Sequence, residues 1–265
     1  MTNGRKVFEK IRDRADAAVF FNETDQLWLT GFFTTDGLVV VNAEKTLLIT
    51  DSRYFEAAEL KKQAHELQDD VEVSIYDSLV EKAPLPLIHI EDNLDLVPSN
   101  LNMSAAEAKM TQLIQREMRL ANLLSKQKAN YDYILIDCPP SLGIVTINAF
   151  FAADEIYVPV AAEILPLKGM MMIENVLEDL REAKPDIKIS GVFVTRFDSR
   201  KNINKSVEEA VRAQYKDVVF HTHIRDHVSL SEAPGSGSSI FDYDSKGRGA
   251  QDYLALTQEI IERTK

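Results

Sequence analysis

Apolar and polar positions alternate in blocks that suit mixed helix and strand. Asp16 to Phe21 is a short apolar run and reads as a buried strand. Asn22-Glu23-Thr24-Asp25 then offers a helix cap ahead of Gln26-Leu27-Trp28-Leu29. Leu38-Val39-Val40-Val41 and Thr46-Leu47-Leu48-Ile49-Thr50 flank the polar turn Asn42 to Lys45 and predict a β-hairpin. Asp51 to Leu67 carries Tyr54, Ala57, Ala58 and Leu60 on or near one helical face. Asp69 to Val73 resumes strand character, Ala83-Pro84-Leu85-Pro86 breaks it, and Ile88 to Val97 is strand-like again. Ser104-Ala105-Ala106-Glu107 matches a capping box and predicts a helix running to about Lys128.

From residue 131 onward the pattern becomes regular. Apolar strands are expected at Tyr131 to Ile136, Ile156 to Val160, Ile189 to Thr195 and, shorter, Val218 to Thr222. Helical patterns at Lys168 to Ala183, Ile203 to Gln214 and Gln251 to Arg263 lie between and after them. Such alternation predicts an α/β fold of three layers, with a mostly parallel sheet covered on both faces. There is no internal repeat, and Gly235-Ser236-Gly237-Ser238-Ser239 reads as a loop.

Composition narrows the function classes. Hydrophobic residues make up 45% and charged residues 27% of the 265, an ordinary globular balance. No apolar run reaches the roughly 18 residues a membrane span needs, and the charged start does not read as a secretory signal, so no membrane role is expected. The single cysteine, Cys138, excludes an internal disulfide and fits a cytoplasmic setting. A net charge of −12 disfavours broad nucleic-acid affinity, which rests on phosphate neutralisation, although a local basic patch is compatible with it.

The strongest chemical signal is Tyr133-Ile134-Leu135-Ile136-Asp137-Cys138-Pro139-Pro140-Ser141-Leu142-Gly143. An apolar strand here delivers one carboxylate to the C-terminal edge of a parallel sheet, where open α/β sheets bind ligands. The prolines stiffen the exit. A carboxylate so placed suits a magnesium-bound water or an attacking water in phosphoryl transfer; capping the next helix is the alternative role.

This run resembles the switch segment of the ParA/Soj/MinD partition ATPases, whose strand ends in Asp-x-Pro-Pro-Ser. The resemblance starts near residue 73. It takes in Tyr76-Asp77-Ser78-Leu79, Glu91 to Asn100, Ser104 to Glu107, Ala153-Asp154-Glu155 and Gly191 to Asp198. Further along it includes Leu230-Ser231-Glu232-Ala233-Pro234 and Lys246-Gly247-Arg248-Gly249-Ala250-Gln251. It implies a deviant-Walker P-loop NTPase fold, with ATP and magnesium as cofactors. Asp137 would be the switch aspartate, while Thr195, Arg196, Ser231 and Pro234 would line the adenine side. Arg200, Lys201 and Arg225 would lie near DNA, although Asp226 and Glu232 beside them weaken the local positive field. A homodimer or heterodimer of ParA type, a ParB-like partner and non-specific DNA are the implied partners.

Residues 1 to 72 depart from that family's pattern. It opens with a strand followed by Lys-Gly-Gly-x-Gly-Lys-Thr, whose backbone N–H groups and lysines hold the phosphates. After the first predicted strand this chain has Phe21-Asn22-Glu23-Thr24-Asp25, with two carboxylates and no glycine. The segment instead resembles the N-terminal domain of creatinase and Xaa-Pro aminopeptidase over about residues 5 to 68, through Trp28-Leu29-Thr30-Gly31-Phe32 and Thr50-Asp51-Ser52-Arg53-Tyr54. Those enzymes carry their metal site in a downstream domain, which has no counterpart in this sequence, so peptidase activity is not expected. Asp51 and Arg53 read as a structural pair.

Two units are therefore expected, 1–72 and 73–265, the second an incomplete P-loop domain. The strands predicted before residue 51 would fill the vacancy in its sheet. ATP binding and hydrolysis are expected to be lost or strongly impaired. A non-catalytic interaction protein or decoy for an intact ParA or its ParB-like partner, or a chimera without selected activity, are the other readings. His221 and His223 would share one strand face without a carboxylate or cysteine partner, and no metal site is expected. Met170-Met171-Met172 is expected to fill core at a helix start.

Overall fold

The computed structural model describes residues 75–91, 94–98, 103–139, 141–163, 166–236 and 238–263, together with three strands between residues 18 and 50. The predicted helix at 51–67 and strand at 69–73 lie outside the described residues, as does the pair Asp51 and Arg53.

Eight strands form one sheet among the described residues. They are β1 (Ala18–Phe20), β2 (Gly37–Val40), β3 (Thr46–Thr50), β4 (Ile88–Glu91), β5 (Leu94–Pro98), β6 (Tyr133–Asp137), β7 (Glu155–Ala161) and β8 (Gly191–Thr195). Their order is β4-β5-β3-β6-β1-β7-β8, with β2 paired antiparallel to β3. The central strand is β6. It runs parallel to β1, with Phe20 level with Asp137, and parallel to β3, with Leu47 level with Ile134. The early strands thus enter the sheet built by the rest of the chain. What reads in sequence as one strand at Ile88 to Val97 is an antiparallel pair with a register shift between His89 and Glu91.

Side-chain alternation along β6 separates two cores. Ile134 and Ile136 join Val97, Met110, Leu120, Leu124 and Ala149 on one face. Leu135 joins Tyr157, Phe193, Phe220, Tyr253 and Leu256 on the other. The first face is covered by α1 (Ile75–Glu81), α2 (Met103–Met110), α3 (Arg119–Leu124), α4 (Ile144–Ala152), α5 (Pro166–Leu180) and α6 (Asn202–Tyr215). The second is covered by α7 (Val228–Gly235), α8 (Ile240–Tyr243) and α9 (Arg248–Arg263). This is the expected three-layer arrangement.

Local departures from the sequence expectations have identifiable causes. The helix expected from Ser104 to Lys128 is interrupted after Met110 and resumes at Arg119. Gln115 adopts a left-handed conformation at φ 55°, and the buried side chain of Asn148 supplies the hydrogen bonds the broken helix lacks. Its Oδ1 accepts from the Leu120 N–H at 3.1 Å, and its Nδ2 donates to the Arg116 and Ile144 carbonyls at 2.7 and 2.8 Å. Arg119 then reaches back to the Leu79 carbonyl at the end of α1, at 2.7 Å. Of the three consecutive methionines only Met170 is buried; Met171 and Met172 face solvent because α5 presents only one face to the sheet. The strand expected at Val218 to Thr222 is a 3-10 turn at Lys216–Val218 followed by a single parallel bridge, Val219 to Val192.

Asn148 closes the α2–α3 break through one buried N–H and two part-buried carbonyls. Replacing it by alanine is expected to lower the free energy of unfolding by about 1 to 3 kcal/mol, because the buried N–H above all loses its partner. Urea denaturation of Asn148→Ala against the parent chain measures this.

Candidate functional site at the C-terminal edge of the sheet

Parallel strands β6, β7 and β8 end at one edge, and their exits carry most of the candidate residues. Asp137 ends β6 and is buried. Thr195 ends β8, and its buried Oγ1 has no hydrogen-bond partner among the described residues. In the sheet order β1 and β7 stand between β6 and β8. Asp137 and Thr195 are therefore three interstrand spacings apart, about 14 Å. They mark two ends of a single trough rather than one cluster.

The β8 end is organised by Asn204, which sequence reading missed. Its Oδ1 accepts from the Asp198 N–H at 2.8 Å and its Nδ2 donates to the Ala162 carbonyl, so one buried amide ties the β7 exit to the β8 exit. Ala162 N–H also donates to the Thr195 carbonyl at 2.9 Å. Arg196 follows with φ 54°, a left-handed conformation that a non-glycine residue adopts only when its surroundings impose it. Its Nη1 lies 2.8 Å from Glu163 Oε1, on the surface.

The three cations singled out for DNA each face a carboxylate. Arg200 makes paired contacts to Asp198 at 2.9 Å, and this guanidinium with its backbone N–H holds the Asp198 carboxyl down at about 2. Lys201 Nζ is 3.8 Å from Asp226. Arg225 grips the buried Asp252 with Nη2 at 2.5 Å and Nε at 2.8 Å, and its own N–H donates to the same carboxylate at 3.0 Å. Ser231 is exposed on α7, whose neighbours Leu230 and Ala233 face the core, and Pro234 lies one turn further along the same helix.

Helix α9 holds this rim in place. Asp252, Glu259 and Arg263 follow at spacings of seven and four, so they share one face. Glu259 accepts from the His221 and Thr222 N–H groups at 2.7 and 2.8 Å. Arg263 donates to the Asp217 and Val219 carbonyls at 3.0 and 2.8 Å. These side chains replace the ladder partners that a strand at 218–222 would have had. His221 and His223 accordingly do not alternate on a strand; His223 stacks on Phe197 at 4.1 Å between ring centroids.

The family profile described as "AAA domain" matches residues 40–189. The sporulation initiation inhibitor protein Soj of Bacillus subtilis is 40% identical over 195 residues, covering 72% of this chain and 77% of that protein. The chromosome partitioning protein ParA of Myxococcus xanthus is 38% identical over 200 residues, covering 74% and 71%. A putative plasmid partition protein of Borrelia burgdorferi, solved bound to AMPPNP, superposes with a TM-score of 0.65 at 18% identity. It covers 98% of this chain and 90% of its own, a likeness of fold. The family profile begins at residue 40, inside the segment 1–72 that the sequence sets apart.

Burial raises the Glu259 carboxyl, but the His221 and Thr222 N–H donors and Arg263 outweigh it and hold the group below its usual range near 4.5. Its contribution to stability is complete above that value and is lost as pH falls through the lower folded one. Glu259→Gln is expected to unfold at lower urea than the parent at pH 7, with the gap narrowing as pH falls below the usual 4.5.

Proposed function

The chain belongs to the Soj/ParA family of partition proteins, and from that membership and the sheet edge we propose a partition protein that has lost its nucleotide cycle and acts through pairing. The carrying observation is the register of β1 against β6. Phe20 is level with Asp137, so the chain leaves β1 beside the switch carboxylate. Residues leaving a strand at that point would have to hold phosphates by backbone N–H groups and lysine. Here they are Phe21-Asn22-Glu23-Thr24-Asp25, without glycine or lysine and with two carboxylates. The base side of the trough, Thr195 and Arg196 with Ser231 and Pro234 on α7, and the carboxylate of Asp137 suit magnesium and ATP. The phosphate side does not, and no hydrolytic step follows from these residues.

Pairing is supported by exposed apolar side chains at the same edge. Met171 and Met172 stand on α5 after β7, Ile203 on α6 after β8, and Val228 at the start of α7. Each is about half or more exposed. Helix starts on one edge of a parallel sheet bring such residues toward one surface. The partner that fits is an intact member of the same family, with a ParB-like protein as the further partner. DNA contact would draw on Arg200, Lys201 and Arg225, at the cost of the carboxylates they face. A net charge of −12 opposes that contact.

Titration with a fluorescent ATP analogue and magnesium tests the nucleotide part. The expected result is no saturation below about 1 mM, a binding energy smaller than about 4 kcal/mol. Micromolar affinity would restore the ATPase reading. For the pairing part, size-exclusion chromatography with an intact Soj relative is expected to give a mixed species. The double variant Met171→Glu/Met172→Glu should lose that species with an unchanged melting temperature, since both side chains are outside the core.

A further inference from the structure

Glu107 is half-buried, and the position of its one buried carboxylate oxygen is accounted for by neither the fold nor the trough. In sequence it completes a capping box, in which it would return to the start of its own helix. Helix α2 begins at Met103, which places Ser104 within its first turn. The Glu107 carboxylate extends to the exit of β6. Its Oε1 is buried there without a hydrogen-bond partner among the described residues. It lies 2.1 Å from the point a Cβ on Gly143 would occupy. Gly143 has φ −81° and ψ −176°, a conformation open to any residue, and a side chain there would meet only the flexible end of Glu107. Gly143 is also the N-cap of α4 and gives it no side-chain cap, which leaves the positive end of that nine-residue helix facing the carboxylate. From the α4 side, Thr146 Oγ1 donates to the Ser141 carbonyl at 2.6 Å.

We infer that Glu107 is a positioning residue that seats the exit of β6, and with it the direction of Asp137, by filling the space above Gly143. The contact joins α2, which follows β5, to the first turn of α4, which follows β6. It fixes the chain leaving Asp137 from outside that chain. This role goes beyond nucleotide binding and is independent of whether the trough holds one.

Cys138, the sole cysteine, reports on the seat because it adjoins Asp137 and is buried in the core beside Met110 and Val97. A thiol reagent reaches it only when the β6 exit opens. Glu107→Ala is expected to raise the labelling rate about tenfold, with a rate that does not change at low urea, the mark of local opening. Gly143→Ala should do the same, because its methyl would displace the Glu107 carboxylate from that space. The double variant should label no faster than Glu107→Ala alone, since the clash is gone. Glu107→Gln, which keeps the volume, should stay within about twofold of the parent. The inference is overturned if Glu107→Ala labels at the parent rate, if its rate climbs with urea as global unfolding does, or if the two alanine substitutions multiply.

Discussion

Strand β6 can exist only with a partner on each edge. It is buried, and every N–H and C=O along it needs a hydrogen bond that water cannot supply. In this chain both partners come from the first fifty residues, β1 on one side and β3 on the other. The two cores are then assembled on the faces of that five-residue strand, Ile134 and Ile136 on one and Leu135 on the other. Asp137 stands at the sheet edge because β6 does, and β7 and β8 reach it only through β1. A three-residue strand therefore links Asp137 to the residues at the exits of β7 and β8.

Along the edge itself, charge is balanced locally rather than gathered. Arg196 faces Glu163, Arg200 faces Asp198, Lys201 faces Asp226 and Arg225 faces Asp252. Exposed pairs of this kind contribute little to stability, but each shortens the reach of its cation toward an anionic partner. The Arg225–Asp252 pair differs in that its carboxylate is buried and also accepts a backbone N–H, so its first effect is to fix the loop. A trough with neutralised rims and apolar helix starts suits a protein surface better than a polyanion.

Much of this was legible in the chain, and what was not has a common cause. The apolar run ending at Asp137, the strands at 155–161 and 191–195 and the helices after them follow from short-range periodicity, and the structure has them within a few residues. The hairpin and short strand before residue 51 were legible for the same reason, as was their place in the sheet. Asn204 and Asn148 were not, because their partners lie 32 to 42 residues away for some of their bonds and nothing local marks a buried asparagine as a splice. Met171 and Met172 were misplaced because the pattern named the helix but not its face, and His221 and His223 because the expected strand is a 3-10 turn and a single bridge.

The irregular stretch from Lys216 to Arg225 has a meaning for the making of this protein. It covers the outer edge of β8, through Phe220 N–H on the Val192 carbonyl and Ile224 N–H on the Val194 carbonyl. It is itself held by α9, through Asp252, Glu259 and Arg263. During synthesis the ribosome releases α9 after every strand of the sheet. Until then Gly191-Val192-Phe193-Val194-Thr195 presents an apolar strand with unpaired backbone, the template on which chains aggregate. The grip of α9 on this segment thus protects that edge, and a chain without α9 would keep β8 open to pairing with another molecule.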